Sequence, residues 1–387
     1  MKTIQKALAL LLALTMLFTL AACAGSETKS DAPADTSTET KQPEATQPAE
    51  DTSADKAEDK TETDAPVVGE FTADGTLSCD LTGLTFAFIY QDLETEFWAE
   101  AYNWTIANLN AAGAEIVEYN AKEDVNKQLE YVQDACAQGV DAILMIPQDS
   151  DSAVSSAQAA NDAGVPIAFV NRVPSDMEAC KAIACQADNE AIAQGAMEYV
   201  LQEAVAKYGK VNIIDMIGDL GDVNAIAREN GFRNAMAKYE DQIGEIYTVT
   251  TDWDANTALA NLQTVLQGTT DVQVLCCGSD FLYPQIESAL DEVGLWHTRD
   301  EEGHVYMCAV DGDSGAAAYM DAGYVDATGV QDVYNECRLC IEALAKAVAN
   351  GETTPSELLI DPGVAQTVES MKTDRHAMWG FQVLDAK

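Results

Sequence analysis

The chain has 387 residues, 47% of them hydrophobic, enough for two ordinary domains, since single cores stop growing near roughly 250–300 residues. Sixty-five acidic against 21 basic side chains leave a formal net charge of −44, which repels phosphate backbones and excludes nucleic-acid binding by charge. Three widely spaced histidines, His297, His304 and His376, argue against a zinc site built on His clusters, while calcium stays open on charge alone.

Lys2 and Lys6 precede an apolar run from Ala7 to Ala22, short for a membrane span and suited to a signal-peptide core. It ends at Leu20-Ala21-Ala22-Cys23, where small residues offer a cleavage site and the Cys23 thiol can carry a lipid. The stretch resembles the lipobox of a bacterial lipoprotein, which places a signal peptide at 1–23 and the mature chain outside the cytoplasmic membrane. Residues 24–80 follow as a tether. From Ala24 to Glu70 thirteen acidic and four basic residues stand among Thr, Ala, Pro and Ser, too apolar-poor to offset ordering entropy, so the segment is expected to be disordered. The tether carries −9 and the signal +2, so the remainder carries −37.

After Leu84 short apolar runs alternate with amphipathic stretches. Thr85–Tyr90, Glu115–Tyr119, Ala142–Ile146 and Pro166–Val170 read as strands. Between them, helical periodicity covers Phe97–Ala112, Val125–Gln138 and Ser152–Ala163, each followed by a glycine suited to a helix C-terminus. The pattern restarts with strands at Val211–Ile217, Glu245–Thr250, Val272–Cys277 and Tyr306–Val310. Helices near Ala225–Tyr239, Ala255–Gln267 and Tyr283–Val293 separate them. Strand–helix alternation in two halves predicts an α/β fold of two doubly wound, Rossmann-like lobes, with ligands bound where loops at the strand carboxyl ends converge.

Those loops carry no phosphate-cradling glycines, no Gly-x-Ser-x-Gly elbow and no Cys–His pairing, so no catalytic constellation or cofactor site is read. They offer instead Thr95, Phe97 and Trp98 after the first strand, and Asn171 and Arg172 after the fourth. Arg228 follows Ile217, Trp253 follows Thr250, Ser279 and Asp280 follow Cys277, and Asp311 follows Val310. Carboxylates, amides and guanidinium groups suit the hydroxyl edge of a polyol, and flat aromatics suit its C–H faces. The same residues also have plain structural uses: aromatics after strands fill cores, Asp311 can cap a helix, and Arg228 can form a surface ion pair.

Several segments then match a known pattern. Pro166 to Ser175, Ala187-Asp188-Asn189 with Gln194-Gly195, Ala227-Arg228 through Gly231-Phe232, Asp252-Trp253-Asp254, Ser279-Asp280, Val310-Asp311-Gly312 and Gly329-Val330-Gln331-Asp332 carry it. From roughly Leu84 to Leu359 the chain resembles the ribose- and galactose/glucose-type periplasmic sugar-binding proteins, receptors of ABC importers with the type I two-lobe fold. The resemblance implies that Phe97 and Trp253 sandwich a sugar ring, with Trp98 as a further wall. It implies hydroxyl contacts from Asn171, Arg172, Arg228, Asp311 and Gln331, and more weakly from Asn224. Thr95-Glu96 and Ser279 depart from the family pattern and leave the sugar open between hexose, pentose, furanose-like signalling molecule and other polyol. The family's calcium loop would precede Val211, but Tyr208-Gly209-Lys210 leaves no room, so no calcium is expected.

The resemblance further implies three lobe crossings, near Asp188, Gln331 and Leu359, with a first lobe of 84–187 plus 332–358 and a second of 188–331 plus 359–387. The expected partners are a monosaccharide, an ABC permease and the membrane through lipid on Cys23, with the protein a monomer and not an enzyme. A ligand-presenting role toward a chemotaxis receptor or sensor kinase is the alternative. Of ten cysteines, Cys276 and Cys277 point to opposite faces of a strand, and Cys337 and Cys340 stand at i, i+3 on a helix. Cys180 and Cys185 flank a short turn and strand, which leaves a disulfide between them open. Apart from the lipid-bearing Cys23, the cysteines read mostly as free buried thiols.

Overall fold

The computed structural model describes Leu77 and residues 79–373. The expected signal peptide, Cys23, His376 and nearly all of the tether lie outside the described residues. The tether's expected end needs one correction. Leu77, Cys79 and Leu81 are buried in the core of the first lobe, and the Leu81 amide donates to Ala112 O at 2.7 Å. Asp80 and Thr82 are exposed beside them, so the segment packs on the lobe before the first strand begins.

Two six-stranded sheets form the two lobes. The first contains β1 (Thr85–Tyr90), β2 (Glu115–Asn120), β3 (Ala142–Met145), β4 (Ile167–Val170), β5 (Ile183–Ala187) and β11 (Glu357–Asp361), ordered β11-β5-β4-β3-β1-β2 and parallel throughout. The second contains β6 (Val211–Ile217), β7 (Ile243–Thr250), β8 (Val274–Cys277), β9 (Tyr306–Asp311), β10 (Ala327–Val330) and β12 (Val364–Thr367), ordered β12-β10-β9-β8-β6-β7. Only the β10–β12 pair is antiparallel. Central strands are apolar on both faces, as parallel strands covered by helices on each side must be. Cys276 and Cys277 show this at one step, facing separate cores of the second lobe.

The helices are α1 (Glu96–Ala111), α2 (Val125–Gln138), α3 (Ser150–Ala163), α4 (Asn189–Tyr208), α5 (Val223–Ala237), α6 (Ala255–Gly268), α7 (Tyr283–Glu292), α8 (Ser314–Ala322) and α9 (Val333–Ala349). Seven of these nine begin on an aspartate whose carboxylate accepts a first-turn amide: Asp124, Asp149, Asp188, Asp222, Asp254, Asp313 and Asp332. Each satisfies orphan N–H groups and complements the positive helix end, so part of the chain's acidity is spent on starting helices. Gly209 and Lys210 alone join α4 to β6. All nine described cysteines are free thiols, Cys180 and Cys185 included, so the disulfide left open by the sequence is absent.

The chain leaves the first sheet through Asp188, returns through Gln331 and Asp332, and crosses again through Pro362 and Gly363. The last crossing lies beyond the expected Leu359. Leu359 sits mid-strand opposite Cys185, because Glu357–Asp361 finds its hydrogen-bond partners on β5. The Asp188 amide donates to Asp361 O at 2.8 Å, tying the first crossing to the third. Gly363 turns the last crossing at φ 54°, and a Cβ there would stand 2.7 Å from both Ile192 Cγ2 and Val330 O.

Gly363→Ala is therefore expected to cost roughly 1–3 kcal/mol through overpacking on top of about 1 kcal/mol of left-handed strain, about 2–4 kcal/mol together. Gly351→Ala, at φ 69° with open space around its Cβ, carries the strain alone and is expected to cost about 1 kcal/mol. Equal losses for the two in urea unfolding would show that the hinge contact is irrelevant.

Candidate functional site

The carboxyl ends of both sheets face one cavity of about 790 Å³, the volume of roughly two dozen water molecules. Ten of the twelve expected residues line it: Thr95, Phe97, Trp98, Asn171, Arg172, Asn224, Arg228, Trp253, Ser279 and Asp311. Asp280 and Gln331 lie behind the wall. Asp280 is buried and accepts from the Gly312 amide and from Thr328 Oγ1 at 2.7 Å, bracing the turn that carries Asp311. Gln331 accepts from Arg228 and donates to Glu336 Oε1 at 2.7 Å.

On the first-lobe side Arg172 is the central cation. Its Nε donates to Asp222 Oδ2 at 2.7 Å, and Nη1 reaches Gln91 Oε1, Pro147 O at 3.2 Å and Gln148 O at 2.9 Å. Its guanidinium also lies 5.4 Å from the centre of the Trp98 ring, which Phe97 meets edge-on at 4.7 Å. Trp98 is thus held as a buried wall, while Phe97 keeps partial exposure at the cavity. Thr95 starts α1 by accepting the Trp98 amide at 3.4 Å.

On the second-lobe side Arg228 donates from Nε to Asn189 Oδ1 at 2.7 Å, from Nη1 to Gly278 O at 2.7 Å, and from Nη2 to Asp311 Oδ1 at 2.8 Å and to Gln331 Oε1. Ser279 donates to the other oxygen of Asp311. Trp253 lies 5.9 Å from the Arg228 guanidinium carbon, and its indole N–H reaches Asp222 Oδ2 at 3.2 Å. The ring lies so low on the lobe that a Cβ at Gly218 would stand 2.2 Å from it and one at Gly278 3.0 Å.

The two lobes touch across this cavity. Besides the Arg172–Asp222 pair, Asn224 Nδ2 donates to Asn171 Oδ1 at 2.8 Å, and Ser314 Oγ donates to Glu96 Oε2 at 2.9 Å. Asn189 Nδ2 continues the chain to Asn224 Oδ1 at 3.0 Å, and Asn171 Nδ2 reaches Glu336 Oε2 at 3.3 Å. One polar network therefore runs from the first-lobe wall through the hinge to Arg228. Four residues lining the cavity hold left-handed backbone: Asn171 at φ 72°, Asp252 at 49°, Trp253 at 55° and Asp311 at 126°. Such strain persists only where surrounding contacts over-determine it, and it concentrates at binding sites.

Several groups at the site were not singled out from sequence: Gln91, Asp92, Asp222, Asp313 and Glu336, while Asn189 was read only as part of a crossing motif. Asp222 and Asp313 carry the one usable signal, since each is the helix cap closing a loop that follows a strand. Burial pushes Asp313 up to about 6, helped by Asp311 and Glu96 nearby, and pushes Asp332 up to about 7, with Asp361 beside it. Asp311 and Glu336 are also raised by burial.

Carboxyls raised in the folded state take up protons there before the unfolded chain does. Their contribution to stability is fully present below the ordinary carboxyl range and is lost as pH rises through about 6 and 7. The melting temperature of the ligand-free protein is expected to fall between pH 5 and pH 8, by about 2–4 °C for each kcal/mol lost. Asp332→Asn, which keeps a capping oxygen, should flatten the profile. A melting temperature that climbs toward pH 8 would contradict this account.

A family model described as a periplasmic binding protein domain matches residues 86–353. A D-apiose import binding protein of Paraburkholderia graminis is 21% identical over 309 residues, covering 80% of this chain and 94% of that one. Among solved structures, an ABC transporter solute binding protein of Bacillus halodurans with bound myo-inositol superposes with a TM-score of 0.65 at 23% identity, covering 75% of this chain and 96% of its own. A periplasmic solute binding protein of Actinobacillus succinogenes with bound D-allose gives 0.66 at 20% identity, covering 74% and 98%. At these identities the structural likeness establishes the two-lobe fold.

Proposed function

Because this chain belongs to the periplasmic binding protein domain family, we propose that it captures a monosaccharide or related polyol between its lobes and delivers it to an ABC importer. The observation that carries this reading is the Arg228 network with Asp311, Ser279 and Trp253, set at the strand ends opposite Phe97, Asn171 and Arg172. Hydroxyls on a ring edge can exchange hydrogen bonds with the carboxylates and amides. The ring faces can lie against Phe97 and Trp253.

The likeness to import binding proteins supports a receptor rather than a catalyst, acting outside the cytoplasmic membrane. Capture follows from the hinge. A ligand resting on one lobe gains the other lobe's contacts only when the three crossings let the cleft shut, so differential affinity sets the closed population. The importer then reads the closed form. The chain works as a monomer, held at the membrane by lipid on Cys23.

A thermal-shift screen over D-glucose, D-galactose, D-ribose, D-allose and myo-inositol, with their amino derivatives, tests the ligand class. A member at one hundred times its Kd should add about 2.7 kcal/mol of stability. Arg228→Lys keeps a charge but not the planar fork and should weaken the bound member roughly tenfold or more. A shift with free amino acids and none with any polyol would sink the reading. For the anchor, Cys23→Ser should abolish radiolabelled-palmitate incorporation and release the protein from membranes of a bacterial host; labelling that survives the substitution would refute it.

A further inference from the structure

Ten of the 23 residues lining the cavity are carboxylates, against 65 in the whole chain of 387, so the lining is more than twice as acidic as the protein. Only Arg172 and Arg228 oppose them, and both are engaged, with Asp222 and Asp311 respectively. Two further carboxylates sit on the inner wall with no cation. Asp92, from the loop after β1, is 7% exposed and accepts the Glu94 amide through Oδ1. Among the described residues nothing donates to its Oδ2. Asp313, at the start of α8 in the other lobe, is 8% exposed and caps the helix through Oδ1. The helix end offsets only about half a charge, and buried carboxylates ordinarily have a full partner.

The donors of the wall point the same way. Arg228 spends all three of its nitrogens on the protein, Trp253 Nε1 is taken by Asp222, the Ser279 hydroxyl by Asp311, and Asn224 Nδ2 by Asn171. Among the described residues Arg172 Nη2 alone of the guanidinium nitrogens keeps its donors without a partner, and the rest of the charged capacity facing the cavity is that of carboxylate acceptors. At the mouth stand Glu94, Glu96, Glu123, Asp219, Asp252 and Asp254, all exposed, whose field concentrates cations at the entrance.

We propose that the ligand of this cleft is a polyol bearing a protonated amine, its ammonium held by Asp92 from the first lobe or Asp313 from the second. The inference rests on the polyol reading above and narrows it. An ammonium brings three donors and the positive charge that the inner wall lacks, and its charge-assisted hydrogen bonds are stronger than those of a hydroxyl.

Isothermal titration with positional monoamino derivatives of D-glucose, D-galactose, D-allose and myo-inositol, each beside its neutral parent, tests this. At least one amine is expected to bind about tenfold or more tighter than its parent at low ionic strength. The gap should narrow with added salt, because the mouth carboxylates are exposed. Asp92→Asn or Asp313→Asn, each checked for folding by circular dichroism, should reduce the amine-to-parent affinity ratio. If no amine outbinds its parent, silence from both included, the inference is overturned. Neutral parents that bind alone would leave the proposed function standing, whereas binding of putrescine or lysine with no polyol would bring down both.

Discussion

Arg228 is the group around which the second lobe and the hinge are arranged. A guanidinium cannot shed its charge, so once buried it must be surrounded by acceptors. Here those acceptors come from four separate places: Asn189 at the start of α4, Gly278 at the end of β8, Asp311 at the end of β9, and Gln331 in the second crossing. The strand ends cannot slide and the crossing cannot shift without stranding a buried charge, a loss on the order of 3–5 kcal/mol. Glu336 and Asn171 extend the same constraint to the first lobe, so the position of one cation is felt on both sides of the cleft.

The acidity of the chain has a structural reason as well as a functional one. In these sheets most strands lead into a helix, and seven of the nine described helices begin on aspartate. Caps of that kind stabilise a helix start by about 0.5–2 kcal/mol each. Because the carboxyl ends of both sheets face the cleft, caps such as Asp222, Asp254 and Asp313 become part of its wall. Local stability and the electrostatic character of the site thus come from the same side chains.

The parts of this architecture that were legible from sequence are those written in local pattern. The buried strands such as Thr85–Tyr90 are continuous apolar runs, and the helices between them end at glycine, so element order and the location of the site at strand ends could be read directly. The third crossing could not be placed to the residue. Glu357–Asp361 is a half-exposed edge strand whose partner lies some 170 positions away on β5, and no periodicity announces such a pairing. Asp280 and Gln331 stand beside residues on the cavity wall, yet their side chains turn into the lobe and the hinge, a direction that spacing alone does not fix. Asp92 escaped notice for the opposite reason. In a chain with 65 acidic residues one more aspartate carries no signal until its burial and lack of a cation are seen.

Trp253 rests where the backbone of two strand ends has been pared to Gly218 and Gly278, and no side chain can be added under it. The ring, the guanidinium beside it and the strained backbone that presents it form a floor that tolerates almost no substitution. The rim is different: Glu94, Glu123 and Asp219 are exposed and make no contact across the cleft. Substitutions at the rim therefore change the charge a ligand meets on entering, while the floor that its ring comes to rest on keeps its shape.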